Sequence, residues 1–417
     1  MDRNDYVEPP GAVRRQEGSH RPAAFGRSDA LRRRSVVGTG VGLSALAGLF
    51  VAGCGPEQRP GSVRTIGGSS GSVSGSVSAS VSAPPAAGQA PGSLTGDGIY
   101  TPVSNVAPHA AISLDVAEIG RLTNAVNEGK PLPADEIMAI YEQGKHSASG
   151  DGFRTLAGFA RSEERAKEFA AAARFYGSPT FLDAPVVEAI RGTASAAAYS
   201  PGQRRQATQK GLQRILTYWV LHELLAAEAK VKDGSKDPNS GAPHNVDEAW
   251  AFYMGVPEDG KYPYALSATA SSRESNFKRE GTVDTPLREA LARAQKASLE
   301  ANLTAFQAAD KEVRSRLNAL FYLAAARYLN ESFKSVQAGK MDSAPVQQIE
   351  GLSFYQTIQP AVAGADAAAD QTIVDYYRSD PAKLTVERRD AALTALNKAA
   401  DALLLKPTDR LSPADFA

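Results

Sequence analysis

The chain of 417 residues carries 46 basic and 46 acidic side chains, a balance without a basic stripe, which excludes nucleic acid as a partner. Its one cysteine, Cys54, excludes an internal disulfide, so packing alone must hold the fold. Length would permit two or three domains, yet the first quarter reads as address and tether, leaving about 300 residues to build a core.

Residues 1–53 hold eight Arg and five acids, and the stretch "RRRSVVGTGVGLSALAGLFVAGC" sets Arg33 and Arg34 ahead of a weakly apolar run that ends Val51-Ala52-Gly53-Cys54. That run is too short and too rich in Gly to cross a bilayer as a helix. Paired arginines before such a run are what the twin-arginine (Tat) export route reads, and small residues before a cysteine resemble a bacterial lipoprotein cleavage site. The pattern predicts a signal peptide over 1–53 and a lipid on Cys54 that anchors an extracytoplasmic body to the cell membrane. Residues 54–111, dominated by Gly, Ser, Ala, Val and Pro with few charges, cannot bury enough surface to offset chain entropy and read as a flexible tether.

From 112 to 417 the punctuation changes to long Ala-, Leu-, Glu- and Arg-rich segments parted by short Gly/Pro/Asp/Asn clusters, which predicts an all-α fold, a helical bundle. In chain order the expected helices span 115–127, 134–143, 162–176, 183–190, 203–231, 246–254, 286–308, 311–338, 346–358, 367–377 and 385–404. The connection over 255–286 is long for a bundle and reads as functional or flexible. Arg273, Asn276 and Phe277 within it would cover a site, hold an anion or form a solvated turn.

Two stretches read alike. "APHNVDEAWAFYMG" (242–255) and "APVQQIEGLSFYQT" (344–357) share the frame A-P-x-x-x-x-E-x-x-x-F-Y, and "TYWVLHELL" upstream of the first lies on "FYLAAARYL" upstream of the second, Tyr218 over Tyr322. Each unit is a long helix, a polar connection and a helix opened by Ala-Pro, so the pattern predicts two related helical hairpins over about 205–285 and 311–380.

On the first long helix Leu212, Leu216, Trp219 and Glu223 follow helical spacing, placing a carboxylate in an apolar stripe beside His222. A buried carboxylate needs a partner, a metal or a proton. Two readings stand open for Glu223: an ion pair with Arg327, the matching residue of the second unit, or metal ligation. "HELLAAE" lacks the second imidazole of a His-Glu-x-x-His zinc protease, since Ala226 stands in its place. Glu248 and Glu350 can each be read as the third residue of a capping box, with Asn245 and Gln347 as caps; Asn is a good cap and Gln a poor one, so a shared inward role is the alternative. Phe252 and Phe354 read as core. His244, Asp247 and Tyr253 gather around Glu248 as donors suited to iron, manganese or zinc. His20 and His109 fall in signal or tether and His146 in a Gly/Ser turn, none with ligand spacing. No phosphate loop, nucleophile elbow or Cys/His zinc cluster occurs, so no enzyme is expected.

With "FLDAPVVEAI", "DEAWAFYMG", "RESNF" and "EGLSFYQTIQP" in order, the stretch from roughly 112 to 380 resembles the low-iron-inducible periplasmic iron-assimilation proteins of green algae and their bacterial relatives. The resemblance implies an exported, non-catalytic protein that captures iron and assists its uptake, with an iron transporter or another envelope protein as partner. Imelysin-type proteins also duplicate a helical unit, but their Gly-x-His-x-x-Glu signature is absent. Joined to the residue reading, this makes iron the expected ligand, Glu223, Glu248 and Glu350 the first candidates and His222, His244 and Tyr253 the lesser ones. The alternative is a structural or interaction lipoprotein of the envelope without metal.

Overall fold

A computed structural model describes residues 94, 100–257, 262 and 265–416; Arg33, Arg34, Cys54 and most of the tether lie outside them. The architecture is all-α, and the single strand pair among the described residues is a two-residue hairpin. In chain order the elements are α1 (Ala107–Ala110), α2 (Ile112–Thr123), α3 (Ala134–Gln143), the strands β1 (Ala148–Ser149) and β2 (Gly152–Phe153), α4 (Leu156–Ala160), α5 (Glu163–Glu168), α6 (Ala170–Tyr176) and α7 (Ala184–Arg191). There follow α8 (Pro201–Lys232), α9 (Ala242–Met254), α10 (Leu266–Asn276), α11 (Asp284–Glu300), α12 (Leu303–Gln337), α13 (Ser343–Ala365), α14 (Ala367–Arg378) and α15 (Val386–Lys398).

The long helices begin where the sequence supplies caps. Ser200 and Gln203 form a reciprocal capping box ahead of α8, with Pro201 in its first turn, and Lys230 and Lys232 sit in its last turn against the negative end of the helix dipole. Ala301 adopts a left-handed φ of 50°, ending α11, and the Asn302 side chain accepts the Ala305 N–H to open α12. That Asn cap moves the start of α12 eight residues ahead of the expected 311.

α8 and α9 pack as one hairpin and α12 and α13 as another, with α13 also lying along α8. α12 is buried nearly all round from Leu317 to Leu329, as a central helix must be. Its run Ala324-Ala325-Ala326 lets neighbouring backbones come close. Gly351 serves the same end on α13: a Cβ there would stand 2.7 Å from Tyr328 Cβ, well inside contact distance. α11 and α10 cover α12 and α9 on one side, α14 and α15 close over α13 and α12, and α2, α4 and α7 pack on α8.

Three departures from expectation have physical causes. α13 runs on past 358 through Pro360, whose missing N–H leaves the Gln356 carbonyl without its helical donor; the Tyr176 hydroxyl donates to that carbonyl instead, at 2.6 Å. The connection 255–286 contains α10, in which Arg273 is buried beside the Tyr328 and Phe354 rings rather than covering a site. Phe277 after it packs toward Phe416. The folded body also begins before 112: Tyr100 is buried with its ring 4.2 Å from that of Trp250, and α1 lies against α9.

Candidate functional site

Six polar side chains converge where the first hairpin meets the N-terminal segment. α8 supplies His222 and Glu223, α9 supplies His244, Asn245 and Glu248, and α1 supplies His109. The spacing is helical: His244 and Glu248 are four apart and share a face, and Asn245 turns toward α8. Glu248 Oε1 lies 2.7 Å from His109 Nε2 and 3.1 Å from His244 Nε2. The Asn245 amide donates to Glu223 Oε2 at 2.6 Å and reaches Glu248 Oε2 at 3.4 Å, tying the two carboxylates together. His222 stands at the rim, its Nε2 3.8 Å from Glu223 Oε1 and its Nδ1 3.0 Å from both oxygens of Glu168. Arg165 contacts the same imidazole nitrogen.

The carboxylates titrate as a pair. Burial pushes Glu223 well above the usual glutamate range, and the neighbouring charge of Glu248 adds to it. Glu248 is half-buried, which raises it, but its hydrogen bonds with His109 and Glu223 outweigh that and hold it low. Burial lowers His244 and His222, against the pull of Glu248 and Glu168 respectively. Metal ligation needs these groups deprotonated, so an arriving cation would compete with protons for the site.

Two imidazoles and two carboxylates form a mixed N/O donor set suited to iron, manganese or zinc and not to a thiophilic metal. His109 also carries a buried Nδ1 with no hydrogen-bond partner. Among the described residues no three such donors stand around a common point as a formed cage. Here they hold one another: with metal–donor bonds of about 2.1 Å, neighbouring ligands sit roughly 3 Å or more apart, so the Glu248–His109 contact must open slightly around an ion.

The other sequence candidates fall elsewhere. Glu350 is buried in the second hairpin against Lys210, whose Nζ is 3.0 Å from Oε1, and accepts the Tyr328 hydroxyl at 2.6 Å; it does not join Glu223 and Glu248. Tyr253 donates to Asp284 at 2.8 Å, on the side of α9 that faces α11, and is withdrawn from the cluster. The Glu223–Arg327 pair does not form, because Asn245 satisfies Glu223 and the Arg327 guanidinium lies over the Tyr328 ring. Neither capping box exists: α9 starts at Ala242 and α13 at Ser343, so Asn245 and Gln347 already lie within helix.

His109 is the residue the sequence reading passed over. A signal for it was present: Ala-Pro-His occurs at 107–109 and again at 242–244, each opening a helix. Both imidazoles meet on the same oxygen of Glu248. His146 is engaged apart from this site, its Nδ1 2.7 Å from Asp115 Oδ1.

The fold and this cluster define an all-helical protein with a half-buried His/Glu site. The family model described as low iron-inducible periplasmic protein (Fea1) matches residues 72–370, and the chain belongs to that family. No curated protein and no solved structure matches the chain. Membership makes this an extracytoplasmic protein of a family tied to iron limitation, and all six converging side chains fall inside the matched span. No described helix is long and apolar enough to cross a membrane.

Proposed function

We propose that the protein binds iron as cargo outside the cytoplasm and assists its acquisition, through His109, Glu223, His244 and Glu248. The observation that carries this reading is the convergence of both Ala-Pro-His imidazoles on Glu248, with a second carboxylate alongside, in a chain whose family responds to low iron. The role proposed is binding: both imidazoles that reach Glu248 hold it through Nε2, the arrangement of a donor cluster. Export through Arg33 and Arg34 and a lipid on Cys54 would hold the body at the membrane, where an iron transporter or another envelope protein receives the ion.

Equilibrium dialysis of the purified body against ferrous and ferric iron, followed by elemental analysis, tests the reading. One iron per chain is expected, lost in a His109→Ala, His244→Ala double variant that keeps its helical circular dichroism. A metal-free body that takes up neither ion would instead favour the envelope interaction protein.

A further inference from the structure

Asp247, next to Glu248 on α9, points away from the cluster and is wholly buried. All its contacts are donors. Oδ2 accepts the Ser104 N–H at 2.8 Å and the Ser104 hydroxyl at 2.7 Å; Oδ1 accepts the Tyr100 hydroxyl at 3.1 Å and the Gln295 amide. An ionised carboxylate, which only accepts, is what such a set surrounds. Ser104 Oγ in turn lies 2.9 Å from His244 Nδ1.

A serine hydroxyl has one hydrogen. Since it is given to Asp247, what Ser104 offers His244 is a lone pair, and the imidazole must donate from Nδ1. With Nδ1 committed as donor, Nε2, 3.1 Å from Glu248 Oε1, is the nitrogen that donates to that carboxylate when the ring carries a second proton, and the one that offers a lone pair to an ion once that proton leaves. The same contacts clamp the chain at Tyr100 and Ser104 onto α9, five residues before His109.

We propose that Ser104 and Asp247 are positioning residues of the iron site: the Asp247–Ser104–His244 relay presets the metal-binding tautomer of His244 and docks the segment that brings His109 to Glu248. This rests on the iron-binding reading above. Outer partners of this kind fix ring orientation and typically change metal affinity by about 10–100-fold.

The test has two parts. In the metal-free protein at pH 8, long-range proton–nitrogen correlation NMR should find His244 protonated on Nδ1 in the wild type and in Ser104→Thr, and shifted toward the Nε2-protonated form in Ser104→Ala. Equilibrium dialysis should then show iron binding weakened about tenfold or more in Ser104→Ala and close to wild type in Ser104→Thr. A wild-type His244 carrying its proton on Nε2 overturns the relay whether or not the variants fold. So does a folded Ser104→Ala protein that binds iron as wild type does. A wild type that takes up no iron overturns the proposed function itself, which the variant comparison keeps distinct.

Discussion

Glu248 and Glu350 stand at the same place in two helices that open with Ala-Pro, yet Glu248 Oε1 lies 2.7 Å from an imidazole of His109 and Glu350 Oε1 lies 3.0 Å from the ammonium of Lys210. One acid is faced by groups that can release a proton and bind a metal, the other by a fixed internal cation. Lys210, 1% exposed, fills with its own charge the role that a bound ion would have there. The frame shared by the two helices therefore gives, among the described residues, one acid faced by imidazoles and one faced by a lysine.

Removing that internal cation is expected to be costly. Lys210→Met leaves Glu350 buried without its ammonium, and should destabilise the fold by about 3 kcal/mol, the low end for such a loss because the Tyr328 hydroxyl, itself contacted by Arg273, still donates to it. Adding Glu350→Gln should recover most of the deficit. Urea denaturation of the single and double variants measures both; a single variant as stable as wild type would mean that the pair contributes nothing.

Iron affinity should separate the two acids. Glu248→Gln removes the carboxylate on which both imidazoles converge and is expected to weaken iron binding by at least about 100-fold. Glu350→Gln should leave it within about twofold. Equal losses in dialysis would place the ion between the hairpins after all.

Much of the fold was legible because it is written in repeating patterns: α3 matches its expected span end to end, and α8 needed only the Ser200 cap to extend it. α10 was not, since "LSATASSRESN" is rich in Ser and Thr, which are weak helix formers, and is held by tertiary contacts of Arg273 rather than by propensity. For the site, Glu223 was legible as a carboxylate in an apolar stripe, Glu248 through the frame it shares with Glu350, and His244 as a donor close to it in the chain. His109 was obscured by the Ser- and Pro-rich stretch before it, and its partnership with Glu248 spans 139 residues. Only the repeated Ala-Pro-His hints at such a contact. Glu350 was misleading because a shared frame preserves position and not surroundings.

The raised Glu223 carries a sign that can be checked. A carboxyl whose folded pKa lies above its unfolded value of 4.5 holds its proton more tightly when folded, so folding binds protons and stability falls as pH climbs from about 4.5 toward the raised pKa. Glu223→Gln, always neutral, should flatten that decline and make the metal-free protein more stable than wild type at pH 8. Iron binding must displace the same proton, so wild-type affinity should rise with pH over this window. Denaturation at pH 5 and 8 tests the first expectation and dialysis at both values the second; a metal-free wild type that gains stability across the window relative to Glu223→Gln contradicts the assignment.

The helix that runs through a proline offers a test independent of iron. Pro360 denies the Gln356 carbonyl its helical N–H, and the Tyr176 hydroxyl supplies the hydrogen bond from α6. Tyr176→Phe should cost about 1–2 kcal/mol by leaving that carbonyl without a donor. Pro360→Ala restores an N–H in place, so the same Tyr176→Phe change made on that background should cost visibly less. The difference is a coupling energy across two residues 184 positions apart, read from a double-mutant cycle of denaturation midpoints. Strict additivity would show that the hydroxyl is not standing in for the missing backbone donor, and that packing of the Tyr176 ring against Phe181 accounts for its place in the fold.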